Sequence, residues 1–148
     1  MRLVFLLHVL ATLTMFGAIW IVQIVHYPLF SLVGAESWPS YSGAHQFRIT
    51  FVVGPAMALE LATAVALLVA RPAAFPLWAV VAGALLVGVI WASTALVQVP
   101  LHNALSGAFD ADAHARLVAT NWGRTLAWTA RAGLVLWLAS RAMPALGA

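Results

Sequence analysis

Three apolar runs, at residues 3–25, 49–70 and 75–99, dictate what this chain can fold into. A bilayer's hydrocarbon core is about 30 Å thick, and about 20 residues of α-helix at 1.5 Å each cross it. Each run meets that length. Inside lipid every backbone N–H and C=O must be satisfied within the protein, and apolar runs of this length meet that demand as helices. A fourth run, residues 125–139, is shorter, with Arg124 before it and Arg131 within it. It reads as a span too, because "AGLVLWLAS" has nothing else to bury against. The expected fold is all-α: one integral membrane domain, residues 1–148, as a four-transmembrane-helix bundle. The expected helices are about 3–26, 45–70, 75–101 and 121–141.

The composition agrees. The chain is 64% hydrophobic and 7% charged, where a soluble domain carries about 25% charged residues. All seven basic residues are arginine and none forms a basic run. Nucleic acid is therefore not an expected partner. The absence of cysteine excludes disulfides and thiolate chemistry. The first run, which follows Met1-Arg2, is too long for the apolar core of a signal peptide.

The connections are uneven. Residues 71–76, "RPAAFP", make a tight turn, whereas residues 27–44 and 102–120 are long and polar. With alternating helices, both long segments fall on one face and both termini on the other. Arginine counts on the two faces tie; the termini are assigned to the cytoplasm under the positive-inside rule. His26 and His102, Arg48 and Arg124, and His45 and Asn121 share one sequence offset, which suggests two similar helical hairpins.

Polar residues recur on one stripe of each helix, and such groups in a bilayer face the bundle interior or a watery cavity. His8, Thr12, Gln23 and His26 form the stripe on the first helix; His45, Glu60 and Thr63 that on the second. Trp91, Gln98 and His102 share a face of the third, and Asn121, Arg124, Trp128 and Arg131 one of the fourth. A second stripe, Gly54, Ala58, Ala62, Ala66 and Ala70, permits close helix packing or a homo-oligomer.

Two constellations follow. Glu60 and Arg131 sit at equal distances from one face and are expected to form a buried ion pair. It would lock two helices together, or serve as the floor of a cavity or a step in a proton relay. His26, His45 and His102, with Asn121 and Arg124, gather at the long-loop face. Three imidazoles would bind a transition metal, two would ligate a haem, or all would act as acid–base groups with no cofactor. Gln23 and Gln98 would orient the rings. Trp91 and Trp128 would wall a pocket for an aromatic compound.

"VPLHNAL" at residues 99–105 and "NWGRTLAWTAR" at 121–131 resemble the anthrone oxygenase-like family of small four-helix membrane proteins. The matching positions are Pro100, Asn103, Asn121, Trp122, Arg124, Trp128 and Arg131. The resemblance lies chiefly in the second half of the chain. It implies a small lipophilic aromatic substrate held in the bundle, oxidation by molecular oxygen, and no obligatory organic cofactor.

The leading expectation is an oxygenase-like oxidoreductase acting on a lipophilic compound at a histidine-lined pocket. Here His26, His45 and His102 are the acid–base or metal residues, and Asn121 and Arg124 stabilise an enolate-like oxygen. The alternatives are a small transporter or proton-conducting module using a column of His8, Glu60, Arg131 and His26, and a haem-carrying electron-transfer subunit.

Overall fold

A computed structural model describes residues 1–142, all α-helical apart from turns and short connections. Helix α1, Arg2–Ile21, runs on through a π turn, Val22–His26, and a 3₁₀ turn, Pro28–Leu32. Helix α2 is Trp38–Val69. Helix α3, Leu77–Ser93, passes through a second π turn, Thr94–Gln98, into the short α4, Val99–Ala104. Helix α5 is Ala111–Ala142.

The rods containing α1, α2 and α3–α4 are long and apolar enough to cross a membrane. Helix α5 has 32 residues and belongs to the same bundle. Its lower hydropathy comes in part from Arg124 and Arg131, which are buried inside, while Trp122, Leu126 and Leu136 face outward. The outward side of α5 from Trp122 to Leu136 is thus apolar, although its overall composition is not.

Neighbouring helices alternate in direction. At one end Phe5, Leu67, Phe75, Ala79 and Leu138 form a cluster. At the other, Ile19, Phe30, Trp38, Leu105 and Leu117 pack together. The turn between α2 and α3 therefore lies at the first end, and both longer connections lie at the second. Arg71 closes that turn by donating from Nη1 to the Phe75 carbonyl. At the opposite end Trp38 is fully buried and its indole donates to the Leu105 carbonyl at 2.6 Å.

The two halves repeat one plan: a helix, a π turn near its end, a connection, then a helix of 32 residues. The long helices start earlier than the sequence suggested, at Trp38 instead of about residue 45 and at Ala111 instead of about residue 121. Pro39 occupies the first turn of α2, where its missing N–H costs nothing. Asp110 accepts a hydrogen bond from the Ala113 amide at 2.8 Å and so caps α5. Ala58 and Ala62, from the small-residue stripe of α2, face outward, and Gly54 borders a cavity.

Candidate functional site

The polar stripes converge into two layers. The deeper layer is centred on Glu60 and Arg131, each 1% exposed, with Arg131 Nε 2.8 Å from Glu60 Oε1. The expected ion pair is therefore present. Glu60 also accepts from the Thr12 hydroxyl at 2.9 Å and from the Trp128 indole at 3.1 Å. Arg131 donates in addition to the Gly83 carbonyl and, from Nη2 at 3.2 Å, to His8 Nε2.

That last bond fixes the histidine's tautomer. A guanidinium has only donors, so His8 Nε2 must accept, and the ring proton resides on Nδ1. From there it is donated to Thr63 Oγ1 at 2.8 Å, and the Thr63 hydroxyl donates on to the Leu59 carbonyl at 2.7 Å. Six side chains from three helices, the charge pair and four neighbours, satisfy one another, which is the condition for such a pair to be tolerated. His26 takes no part in this network. The wide hydrogen-bonded turn closed by Tyr27 N–H to the Val22 carbonyl, at 2.9 Å, inserts an extra residue. It swings His26 off the stripe that holds His8 and Thr12, where a regular helical period had placed it.

The second layer lies at the end with the longer connections. His26 Nε2 and His45 Nδ1 are 2.8 Å apart, and His102 Nε2 is 2.9 Å from the Tyr27 hydroxyl. The rings of His45 and His102 are 5.5 Å apart. The three imidazoles do meet, but the nitrogens of His26 and His45 point at each other and share one proton. Two protons cannot occupy that gap, so at most one of the pair is an imidazolium. Among the described residues no group of three His, Asp or Glu side chains is placed to hold a metal ion. The expected three-histidine metal site is thus replaced by a hydrogen-bonded set.

Asn121 is fully buried and donates to Gln23 Oε1 at 2.8 Å, while accepting from Arg124 Nη1 at 3.0 Å. Gln23 Nε2 donates to the Val118 carbonyl at 3.2 Å. Gln23 therefore ties α1 to α5 and does not orient an imidazole. Gln98 Nε2 donates to Thr120 Oγ1 at 3.0 Å, and its Oε1 is buried without a partner. Arg124 Nε is likewise buried without one. The guanidinium of Arg124 lies over the Trp128 ring, 5.2 Å from its centroid.

Between these layers a cavity of about 320 Å³ opens among α1, α2 and the α3–α4 rod. Met15, Ile19 and Met57 form its apolar wall; Tyr27, His45, Gln98, His102 and Arg124 cap one end. Thr50, Trp91 and Val99 line it as well and are exposed on the outside of the bundle. Trp91 thus sits where the sequence placed it. Trp128 does not line the cavity: it is fully buried and bonded to Glu60. His45 borders a second, outer groove as well, together with His26, Tyr41 and Arg48. His45 therefore stands between groove and cavity, with His26 on the groove side.

Sequence reasoning passed over Tyr27 and the methionines of the wall. Tyr27 adjoins His26 in "HYP", and a hydroxyl beside a histidine at a helix end was the available signal. His114, to which no role was assigned, bonds through Nε2 to the Tyr27 carbonyl at 2.8 Å and so braces that turn.

The fold and cavity define a class: a four-helix bundle of membrane type whose interior holds an apolar chamber capped by acid–base groups. Compared with known protein families, with curated proteins and with solved structures, the chain finds no match.

Proposed function

We propose that this is a multi-pass membrane oxidoreductase of the oxygenase-like kind, acting on a small lipophilic compound. The observation that supports this reading most is the cavity itself. It is of ligand size, its wall is mostly apolar, and its ionisable groups, Tyr27, His45, His102 and Arg124, gather at one end. A compound dissolved in the bilayer reaches it between α2 and α3, past Thr50, Trp91 and Val99.

In this reading His102 is the general base and Tyr27 holds its ring. With Tyr27 O–H donating to Nε2, the His102 proton sits on Nδ1. A small rotation of the phenol frees the Nε2 lone pair for a substrate C–H made acidic by a neighbouring carbonyl. Removal of that proton leaves an enolate, whose oxygen faces the Arg124 guanidinium. Molecular oxygen then takes up the electron pair as a new C–O bond. Loss of water from the resulting hydroperoxide gives the second carbonyl, so that R2CH2 and O2 become R2C=O and H2O. This is the chemistry that the anthrone oxygenase-like resemblance implies.

The test is turnover of anthrone by the purified protein in liposomes, read as quinone formed and oxygen consumed. Wild-type protein is expected to exceed spontaneous oxidation, and His102→Ala to lower the rate by about 10²-fold or more, the usual worth of a general base. An unchanged rate in His102→Ala removes the catalytic role. Vectorial flux without chemical conversion favours a transporter instead.

A further inference from the structure

Two arginines lie on one face of α5, two helical turns apart, and their circumstances differ. Arg131 has its countercharge in the chain, in Glu60 at 2.8 Å. Arg124 is 6% exposed and has none: the pair Glu60–Arg131 is the one salt bridge among the described residues. The chain holds four acidic residues in all. Glu36 and Asp112 are exposed and Asp110 caps α5, so none of the other three reaches this depth.

The partners Arg124 does have are neutral. Asn121 takes one hydrogen bond from Nη1, the neutral Tyr27 hydroxyl lies beside the guanidinium, and the Trp128 face is 5.2 Å away. Its Nε is a buried donor with no acceptor. A desolvated cation is costly unless something compensates its charge, and a neutral amide and an aromatic face do so only in part. The side chain borders the cavity. An anion in that cavity would supply the missing charge.

We infer that the cavity's ligand is a lipophilic weak acid bound as its monoanion, with the ionised oxygen on Arg124 and the apolar body against Met15, Ile19 and Met57. A carboxylate, an acidic phenolate or the enolate of an acidic ketone such as the proposed substrate meets this description; a hydrocarbon or an amide does not. This rests on the cavity being a lipophile site and narrows its occupant. It places the anion in the resting complex and not only in a transition state.

The experiment is calorimetric binding of 2-naphthoate and its neutral analogue 2-naphthamide to the full chain in nanodiscs, with empty nanodiscs subtracted. Naphthoate is expected to bind at least tenfold more tightly than the amide. Arg124→Gln should erase that preference, and Arg124→Lys should keep most of it. Equal binding of the two probes, or a preference that survives Arg124→Gln, overturns the monoanion while leaving the lipophile cavity in place. Failure of both probes to bind a protein with intact helical signal and melting temperature overturns the cavity reading and the monoanion with it. If Arg124→Gln does not fold, the comparison of the two probes on wild type and Arg124→Lys still decides.

Discussion

Single side chains decide whether charge is tolerable in this bundle. Glu60 and Arg131 were legible in the sequence because each lies at the same depth from one face, and an unpaired charge there is costly. Their helpers were less legible. Thr12 shares a stripe with His8, but the Trp128 indole was read as a pocket wall and turns out to bond Glu60 at 3.1 Å. Sequence spacing places a residue on a face and does not say which neighbour its polar atom reaches. Removing one member of the pair should be far worse than removing both. Glu60→Gln or Arg131→Met alone is expected to cost about 3–5 kcal/mol, and the double variant much less than the sum. Unfolding in mixed detergent micelles measures all three; additive losses would contradict the pairing. Trp38→Phe leaves the Leu105 carbonyl unpaired and should cost about 1–3 kcal/mol in the same assay.

Elements carry the next level, and the π turns matter most here. The apolar runs announced four helices, three by length and hydropathy and the fourth by its need for a buried partner. They did not announce that the first helix changes period at Val22–His26 and the third at Thr94–Gln98. A π turn has no compositional signature, so the helical wheel carried His26 onto the stripe of His8, whereas the structure turns it to His45. The helical starts at residues 38–44 and 111–120 were hidden for another reason. Residues 38–44 read as loop and "DADAHARL", residues 110–117, as a short surface helix separate from the fourth span, yet Trp38, Ser42, Ala113 and Leu117 are buried at helical spacing. Deleting Ile24, which is 54% exposed, should restore a regular period. That rotates the following residues by about 100°. The expected result is an unchanged helical circular dichroism signal with loss of 2-naphthoate binding. Retained binding would show that the π turn does not position the polar cap.

At the scale of the whole molecule, the bundle and its cavity are one construction. The polar cap sits at the end with the longer connections, the ion-pair layer closes the other side, and the apolar wall lies between. Three of the four helices were readable from hydropathy alone, and the fourth from an apolar stretch, residues 132–140, with nothing else to bury against. The cavity was not, because a void is a property of how rods diverge, and no residue type encodes it. The gathering of His45, His102 and Arg124 at one end was nonetheless foreseen from alternating helix direction. That alternation has a simple check, since the chain lacks cysteine. Single variants Ala35→Cys and Gly107→Cys should react with an impermeant thiol reagent from one side of sealed vesicles, and Ala73→Cys only from the other. Labelling of all three from one side would contradict four spans.

In the proposed function a lipophile enters the bundle from the bilayer. Met15, Ile19 and Met57 are no more than 4% exposed and border the cavity, so lipid outside cannot touch them. Photolabelling in liposomes with a small lipophilic diazirine, mapped by peptide mass spectrometry, is expected to place label on those three residues, reduced by excess 2-naphthoate. Label confined to outward residues such as Leu10, Phe51 and Leu85 would contradict it.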